Sequence, residues 1–291
     1  MIFDVPDVAT LSQLLEISSG KLFHLASQPD EYYRNATIAK KDGTPRQLRV
    51  PMGPLKLAQL QIKERILDQV PIPAWVHGGV RRKSPKTNAA IHVGKPLLYT
   101  IDIEAFFPAV TPLQITTVFR QLGFGEQPSR LLARLTTTQW QLPQGTHTST
   151  ALANLVLLHA DWRIMNLGRS HGFELSRFID DVNASGTRRL YKFRKLIDRI
   201  IESEGFNIKS KKRFTMPAGT QQVVTGLNVN EKVNLTRENR QKIRREVLKE
   251  ARARKGNLTP STGGRLGWLA YINPNAGAKL LARVVTEGRK P

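Results

Sequence analysis

Apolar residues recur every three or four positions in six stretches of the chain, which is the spacing of one helix face. In the stretch 188–204, Leu190, Phe193 and Ile197 would lie on one side of a helix, and Gly205 follows where a helix end favours glycine. The pattern predicts helices over 8–17, 20–27, 55–70, 149–165, 188–204 and 237–254.

Shorter apolar runs bounded by turn residues predict strands. Asp42-Gly43 separates the runs 35–40 and 45–50, and this dipeptide is a strong hairpin signal. Residues 97–103 have the pattern of a buried strand, which Asp102 interrupts. Further strands are predicted over 173–179, 182–185, 222–228 and 232–235. Together with the helices, these strands predict an α+β fold.

Length and composition exclude several classes of protein. With 291 residues and 40% hydrophobic positions, the chain can form one large or two small domains with a true core. It has no cysteine, so disulfides, thiolate metal sites and a cysteine nucleophile are excluded. Its start lacks the order of a signal peptide, and no stretch approaches 18 uninterrupted apolar residues. We therefore expect a cytoplasmic protein with no membrane partner.

The charge of the chain points to a polyanionic partner. Lys and Arg number 45 against 23 Asp and Glu, a formal net charge of +22. Basic residues concentrate in 81–95 and in 237–255. Each region alone is typical of a solvated surface, but with the total charge they favour contact with nucleic-acid phosphates.

Three aspartates are candidates for metal chemistry. Asp102 lies in an apolar strand, and Asp180 and Asp181 are adjacent like charges, so both arrangements are unfavourable without cations. The two neighbours can converge only in the tight turn of a hairpin. If Asp102 lies beside that turn, the carboxylates would suit two Mg²⁺ ions and phosphoryl transfer. The alternative is an ordinary exposed turn and a helix cap.

Five segments in this order and spacing resemble the successive motifs of reverse transcriptases: IAKKDGTPR (38–46), DIEAFF (102–107), LPQG (142–145), FIDD (178–181) and GFN (205–207). NAAIH (88–92) and VTG (224–226) are similar to elements of retron reverse transcriptases. The resemblance implies a right-hand polymerase with fingers, a palm of antiparallel sheet packed on helices, and a helical thumb. Its implied parts are an N-terminal helical segment (1–34), fingers (35–97), a palm (98–230) with interleaved fingers helices at about 112–138, and a thumb (231–291).

The resemblance also implies roles for individual residues. The metal ligands would be Asp102, Asp180 and Asp181 with the Ile103 carbonyl, binding two Mg²⁺ ions. The residues that bind the nucleotide would be these: Lys40 and Arg46 at the triphosphate, Phe107 under the sugar, Gln144 and Gly145 at the nascent base pair, and Lys211 at the departing pyrophosphate, with Lys209 and Lys212 as alternatives. RNA contacts would come from Asn88, His92, Val224, Thr225 and Gly226.

The implied function is that of a retron-type RNA-directed DNA polymerase. It would use dNTPs to copy part of a structured noncoding RNA that serves as template and primer, forming an RNA–DNA hybrid, with a role in anti-phage defence and an effector protein as partner. The alternatives are a group II intron-like or other defence-associated reverse transcriptase and a non-catalytic scaffold that binds structured RNA. Phe178, Ile179, His147 and Thr148 depart from the usual motifs.

Overall fold

A computed structural model describes residues 2–39 and 43–288, with the backbone alone at positions 210, 211 and 288. Two capped helices begin the chain: α1 (Val8–Leu15), with Asp7 as its N-cap, and α2 (Ser19–Ser27), with Ser18. They pack against α3 (Gly53–Arg65) and α7 (Glu126–Thr136). Between α2 and α3, the strands β1 (Tyr33–Ala39) and β2 (Pro45–Pro51) pair antiparallel, as the predicted hairpin requires. The structure does not describe residues 40–42 between them.

A four-stranded antiparallel sheet forms the centre of the molecule, with strand order β4-β5-β3-β6. Its strands are β3 (Leu97–Ile103), β4 (Phe173–Phe178), β5 (Asp181–Gly186) and β6 (Ile208–Pro217). Helices α9 (Leu158–His171) and α10 (Leu190–Ser203) pack on this sheet and on each other. This is the expected antiparallel sheet packed on helices.

Short helices connect the central sheet to the rest of the core. They are α4 (Pro85–Ala90) before β3, then α5 (Phe106–Ala109), α6 (Pro112–Leu122), α7 and α8 (Ser149–Val156) between β3 and β4. One hydrophobic core joins α5 to α8, the N-terminal helices and the sheet, whereas Ala89 of α4 belongs to a second core. The predicted helices near 112–138 are present as α6 and α7.

The C-terminal part has a hydrophobic core of its own. It contains a small sheet of β7 (Val223–Val224), β8 (Leu227–Asn228) and β9 (Asn234–Leu235), followed by α11 (Arg237–Ala253), α12 (Pro260–Ile272) and α13 (Pro274–Gly288). Lys86 of α4 donates to the carbonyl of Tyr271 at 2.7 Å, and its ammonium lies 4.7 Å from that ring's centroid. The helical bundle is therefore tied to the segment that precedes the central sheet.

Two predictions of secondary structure need correction, and one strand was missed. The helix predicted over 149–165 is two helices, α8 and α9, which meet at the buried Leu157. The strand predicted over 222–228 is itself a hairpin, because Thr225 and Gly226 both have positive φ and form its turn. β6 was not predicted, since its many lysines hide the alternation of a strand. Among the described residues, no helix combines the length and apolar character needed to cross a bilayer.

Candidate active site

The structure brings the three predicted aspartates to one end of the central sheet. Asp102 of β3 is the cross-strand partner of Asp181 on β5. Phe178 pairs with Asp181, so Ile179 and Asp180 form a two-residue turn between β4 and β5. The Ile103 N–H donates to the Asp180 carbonyl at 3.2 Å, which joins the end of β3 to this turn. Asp102 therefore lies beside the 180/181 turn, as the metal hypothesis requires.

The site is electrostatically unfavourable for three carboxylates alone. Burial, reinforced by the negative charges of Asp180 and Asp102, raises the pKa of Asp181 to about 7. Burial also raises the pKa of Asp180, with a further contribution from Asp102. Without cations, part of this cluster would hold protons near neutral pH, and a bound cation would favour the ionised form.

Two lysines of β6 supply positive charge to the cluster. Lys209 lies 3.0 Å from Asp102 Oδ1, and Lys212 lies 2.9 Å from Oδ2. Ile101 pairs with Arg213 and Ile103 with Ile208, so four residues of β6 (209–212) lie opposite the single residue Asp102. This bulge directs the two lysines toward Asp102. The pKa of Lys212 is raised by its hydrogen bond to Asp102.

The donor set fits a hard divalent cation, because carboxylate oxygens are the ligands that Mg²⁺ prefers. Over residues 2–39 and 43–288, no three His, Asp or Glu side chains are arranged to hold an ion as they stand. Asp102 instead points its oxygens at Lys209 and Lys212. Ligation by all three aspartates would therefore require Asp102 to exchange a lysine for the ion.

The turn that presents Asp180 has an unusual backbone. Ile179 has φ 60°, a left-handed conformation that is rare for a β-branched residue and costs on the order of 1–3 kcal/mol. The segment before α4 supports this turn from behind: Arg177 N–H donates to the Trp75 carbonyl at 2.9 Å, and His77 N–H donates to the Arg177 carbonyl at 2.8 Å. A Cβ on Gly78 would lie 2.5 Å from the Ile179 nitrogen, so only glycine permits this approach.

Among the predicted nucleotide-binding residues, Phe107 lies in α5 just after β3, and Gln144 and Gly145 lie against β2 of the hairpin. Phe106 is buried whereas Phe107 is only partly buried, and the two rings are in tilted contact with their centroids 5.8 Å apart. The Arg49 N–H donates to the Gln144 carbonyl at 2.8 Å, which ties the Pro-Gln-Gly turn to β2. Gly145, with φ 101°, packs against Leu48 of the same strand.

Three other predicted nucleotide contacts are less defined by the structure. Arg46 is exposed on β2, opposite Ile38 of β1. Lys40 and the side chain of Lys211 lie outside what the structure describes. The lysines that reach Asp102 are Lys209 and Lys212, which the sequence analysis held as alternatives to Lys211.

Asn88 and His92 lie in the interior, which is at odds with a direct contact to RNA. Both residues are 0% exposed. The two ring nitrogens of His92 lie 2.6 Å from the hydroxyls of Ser185 and Ser176, on β5 and β4. Burial lowers the pKa of His92 to about 3, so the ring is neutral. His92 therefore links the segment after α4 to the strands that carry Asp180 and Asp181.

The Val-Thr-Gly element borders the path that leads away from the aspartates. Val224 is buried, whereas Thr225 is partly exposed and Gly226 is exposed at the tip of the turn. A cleft of about 650 Å³ contacts this turn together with Asp102 and Asp181. A second cleft of about 530 Å³ shares Pro85, Thr225 and Gly226 and extends to Lys242, Arg265 and Trp268. The two clefts connect the aspartates to the helical bundle.

One buried network was missed by the sequence analysis. Arg177, Asp161 and Asn154 form hydrogen bonds directly behind the Ile179 turn. The only sequence signal was a single arginine within the predicted strand 173–179.

Comparison with known proteins identifies first the fold of the chain and then its family. In fold, the chain is similar to the telomerase of Candida albicans solved in complex with a TWJ fragment of telomeric RNA, with a TM-score of 0.51 and 9% identity over 92% of this chain and 59% of that chain. The fold is thus that of a right-hand polymerase.

The particular family follows from the sequence relatives. The chain is 31% identical to the Retron Mx65 reverse transcriptase of Myxococcus xanthus, over 95% of this chain and 70% of the relative. It is 33% identical to the Retron Ec86 reverse transcriptase of Escherichia coli, over 90% and 82%. The chain belongs to the retron reverse transcriptases. No protein-family model matches it.

Proposed function

We propose that this reverse transcriptase copies part of a cognate structured noncoding RNA into DNA and uses two Mg²⁺ ions. The convergence of Asp102, Asp180 and Asp181 at one end of the sheet carries the proposal. These three side chains, with the Ile103 carbonyl, would hold the ions. When bound, such ions lower the pKa of an attacking hydroxyl and stabilise charge on the leaving oxygen.

Other residues would bind and orient the reactants. Arg46 and Lys40 would bind the triphosphate, and Gln144 with Gly145 would contact the nascent base pair. Phe107 would exclude a 2′-hydroxyl, so the enzyme would prefer dNTPs. Lys212, already 2.9 Å from Asp102, would be well placed near the departing pyrophosphate.

The path for RNA and the RNA–DNA hybrid would follow the two connected clefts. Both are lined by Thr225 and Gly226, and the second reaches the basic and aromatic surface of the helical bundle. Asn88 and His92 would act from the interior by holding the strands in place. By family resemblance, the RNA would serve as template and primer, and the enzyme would act with an effector protein in anti-phage defence.

DNA synthesis on the RNA that co-purifies with the protein tests this proposal. The wild type should incorporate labelled dNTPs in Mg²⁺ and prefer them to rNTPs, whereas Asp180→Ala with Asp181→Ala should incorporate none. Asp198→Asn, which alters a buried carboxyl bonded to Tyr99 and Arg213 rather than to the turn, is the matched control and should retain incorporation. An inactive wild type that still binds its RNA would favour the scaffold alternative. Sequencing of the bound RNA would separate the retron function from a group II intron-like one.

A further inference from the structure

Arg177 is a fully buried arginine two residues from the turn that presents Asp180. It is 0% exposed, and its partners Asp161 and Asn154 are buried as well. Nε lies 2.9 and 2.8 Å from the two oxygens of Asp161, and Nη2 lies 2.8 Å from Oδ2 of the same carboxylate. The charge of the guanidinium is therefore neutralised from one side, by a fork-to-fork contact.

The other donors of Arg177 go to positions that define the turn. Nη2 donates to the Asn154 carbonyl, and Nη1 donates to Asn154 Oδ1 and to the Ile179 carbonyl, each at 2.9 Å. Each of the three guanidinium nitrogens thus donates to at least one acceptor. The contact with Ile179 is the informative one, because this residue adopts the left-handed backbone conformation immediately before Asp180.

Asn154 connects the same network to the opposite side of the turn. Its Nδ2 donates to the Gly78 carbonyl at 2.8 Å, and Gly78 is the residue that lies against the Ile179 backbone. The turn is therefore held by Arg177 through the Ile179 carbonyl and by Gly78 through close contact. Asn154 holds both of these supports.

We propose that Arg177 is a positioning residue for the divalent-cation site. It fixes the Ile179 carbonyl and thereby the place of Asp180 and Asp181 relative to Asp102. This inference rests on the proposed metal-dependent function. A buried ion pair by itself adds little to stability compared with apolar packing, so the Asp161 contact alone does not account for an arginine here. The planar guanidinium of Arg177 accounts for it, because a lysine could neutralise Asp161 but could not also reach the Asn154 and Ile179 acceptors.

Arg177→Lys tests the proposal, with binding of Mn²⁺ alone as the main readout. Electron paramagnetic resonance can measure Mn²⁺ binding to the folded protein without nucleotide or RNA. We expect Arg177→Lys to bind Mn²⁺ about 10–100-fold more weakly than the wild type, as when the groups that orient metal ligands are altered. DNA synthesis should need correspondingly more Mg²⁺ and should recover in part at high Mg²⁺.

A matched control separates positioning from general loss of stability. Gln59 is also fully buried, and its amide donates to Tyr33 and to the Leu135 carbonyl, away from the turn. Gln59→Ala should lower the melting temperature and leave the Mn²⁺ affinity unchanged. If Arg177→Lys does not fold, Asn154→Ala takes its place, since it keeps the Asp161 ion pair but removes the Oδ1 acceptor of Nη1 and the hydrogen bond to the Gly78 carbonyl, which together hold both supports of the turn.

The outcomes are distinct. Wild-type Mn²⁺ affinity in a folded Arg177→Lys or Asn154→Ala protein would overturn the positioning role, whatever the melting temperature. A wild type that binds Mn²⁺ through the three aspartates but makes no DNA would overturn the proposed function and leave the positioning role supported by the binding data.

Discussion

Gly78 determines how closely the segment before α4 can approach the Ile179-Asp180 turn. A methyl group in its place would lie 2.4 Å from Ile179 Cγ1 and 2.5 Å from the Ile179 nitrogen. Because one of these atoms is backbone, the clash can be relieved only by moving the turn. We expect Gly78→Ala to destabilise the protein by about 1–3 kcal/mol, the range typical of overpacking. DNA synthesis should fall with it. Urea denaturation and the dNTP incorporation assay measure the two effects.

Gly20 provides the control for this substitution. It lies in α2, and a Cβ there would meet nothing within 4 Å. Gly20→Ala should therefore stabilise the protein by about 0.5–1 kcal/mol and leave DNA synthesis intact. Equal stability of the Gly78→Ala protein and the wild type would show that the turn tolerates displacement.

His92 makes the stability of the protein depend on pH. Its pKa is lowered to about 3 in the folded state because the ring is buried, whereas an unfolded histidine titrates near about 6.5. As the pH falls below the pKa of the unfolded histidine, the unfolded state binds a proton at this ring and the folded state does not. The contribution of His92 is therefore fully present above about pH 6.5 and is lost progressively toward pH 3.

Comparison with His92→Asn isolates this contribution. Between about pH 7.5 and 5.5, the free energy of unfolding of the wild type should fall by about 1.4 kcal/mol more than that of the variant. Urea denaturation at the two pH values measures the difference. His77, whose pKa is lowered to about 4 mainly by burial, is present in both proteins and its effect cancels. Parallel pH profiles would mean that His92 titrates normally and is accessible to water.

At the scale of elements, the strands that carry the aspartates could be predicted from sequence alone. β3 interrupts an apolar run with Asp102, and an acidic pair between two apolar runs is compatible only with a hairpin turn. β6 could not be predicted, because its lysines form ion pairs with Asp102 on the neighbouring strand. These charges hide the alternation of apolar and polar residues that marks a strand. The hydrogen bonds of Arg177 could not be predicted either, since its partners Asp161 and Asn154 are 16 and 23 residues away in sequence.

Two glycines of α12 leave part of the helix surface without side chains. Gly264 and Gly267 lie inside a helix, where each costs about 1 kcal/mol relative to alanine, and a Cβ at either would meet nothing in the protein. Trp268 and Tyr271 follow Gly264 at helical spacing on the same side, and Tyr271 is 48% exposed. Internal packing does not require these glycines, so we expect them to permit the close approach of a nucleic-acid backbone.

Gly264→Ala and Gly267→Ala should separate stability from binding. Each variant should be more stable than the wild type by about 1 kcal/mol, because alanine favours the helix. Each should nevertheless bind an RNA–DNA hybrid more weakly, on the order of tenfold for a lost contribution of about 1.4 kcal/mol. Thermal denaturation and fluorescence anisotropy measure the two quantities. Gly20→Ala, which gains stability far from α12, should bind the hybrid as the wild type does. Unchanged binding in both α12 variants would exclude this helix from the interface.

At the scale of the whole molecule, a formal charge of +22 makes salt the decisive variable for RNA binding. Affinity that comes from phosphate contacts falls with salt because counterions are released on binding, by about 0.7–0.9 log units per contact for each tenfold rise in salt. Lys212 lines the first cleft together with Asp102 and Asp181, whereas Lys242 and Arg265 line the second cleft at the helical bundle. The basic surface of the second cleft thus continues into the cleft that contains the aspartates.

Removal of one charge from that path should change the salt dependence and not only the affinity. Lys242→Ala should lower the slope of log affinity against log salt by about one unit, as expected for one lost phosphate contact. Lys21→Ala removes the same charge from α2, outside the lining of both clefts, and should leave the slope unchanged. Titration of the co-purifying RNA at several salt concentrations gives both slopes. If the two variants reduce the slope equally, net charge rather than the cleft governs binding, and the route from the aspartates to the helical bundle is not the RNA path.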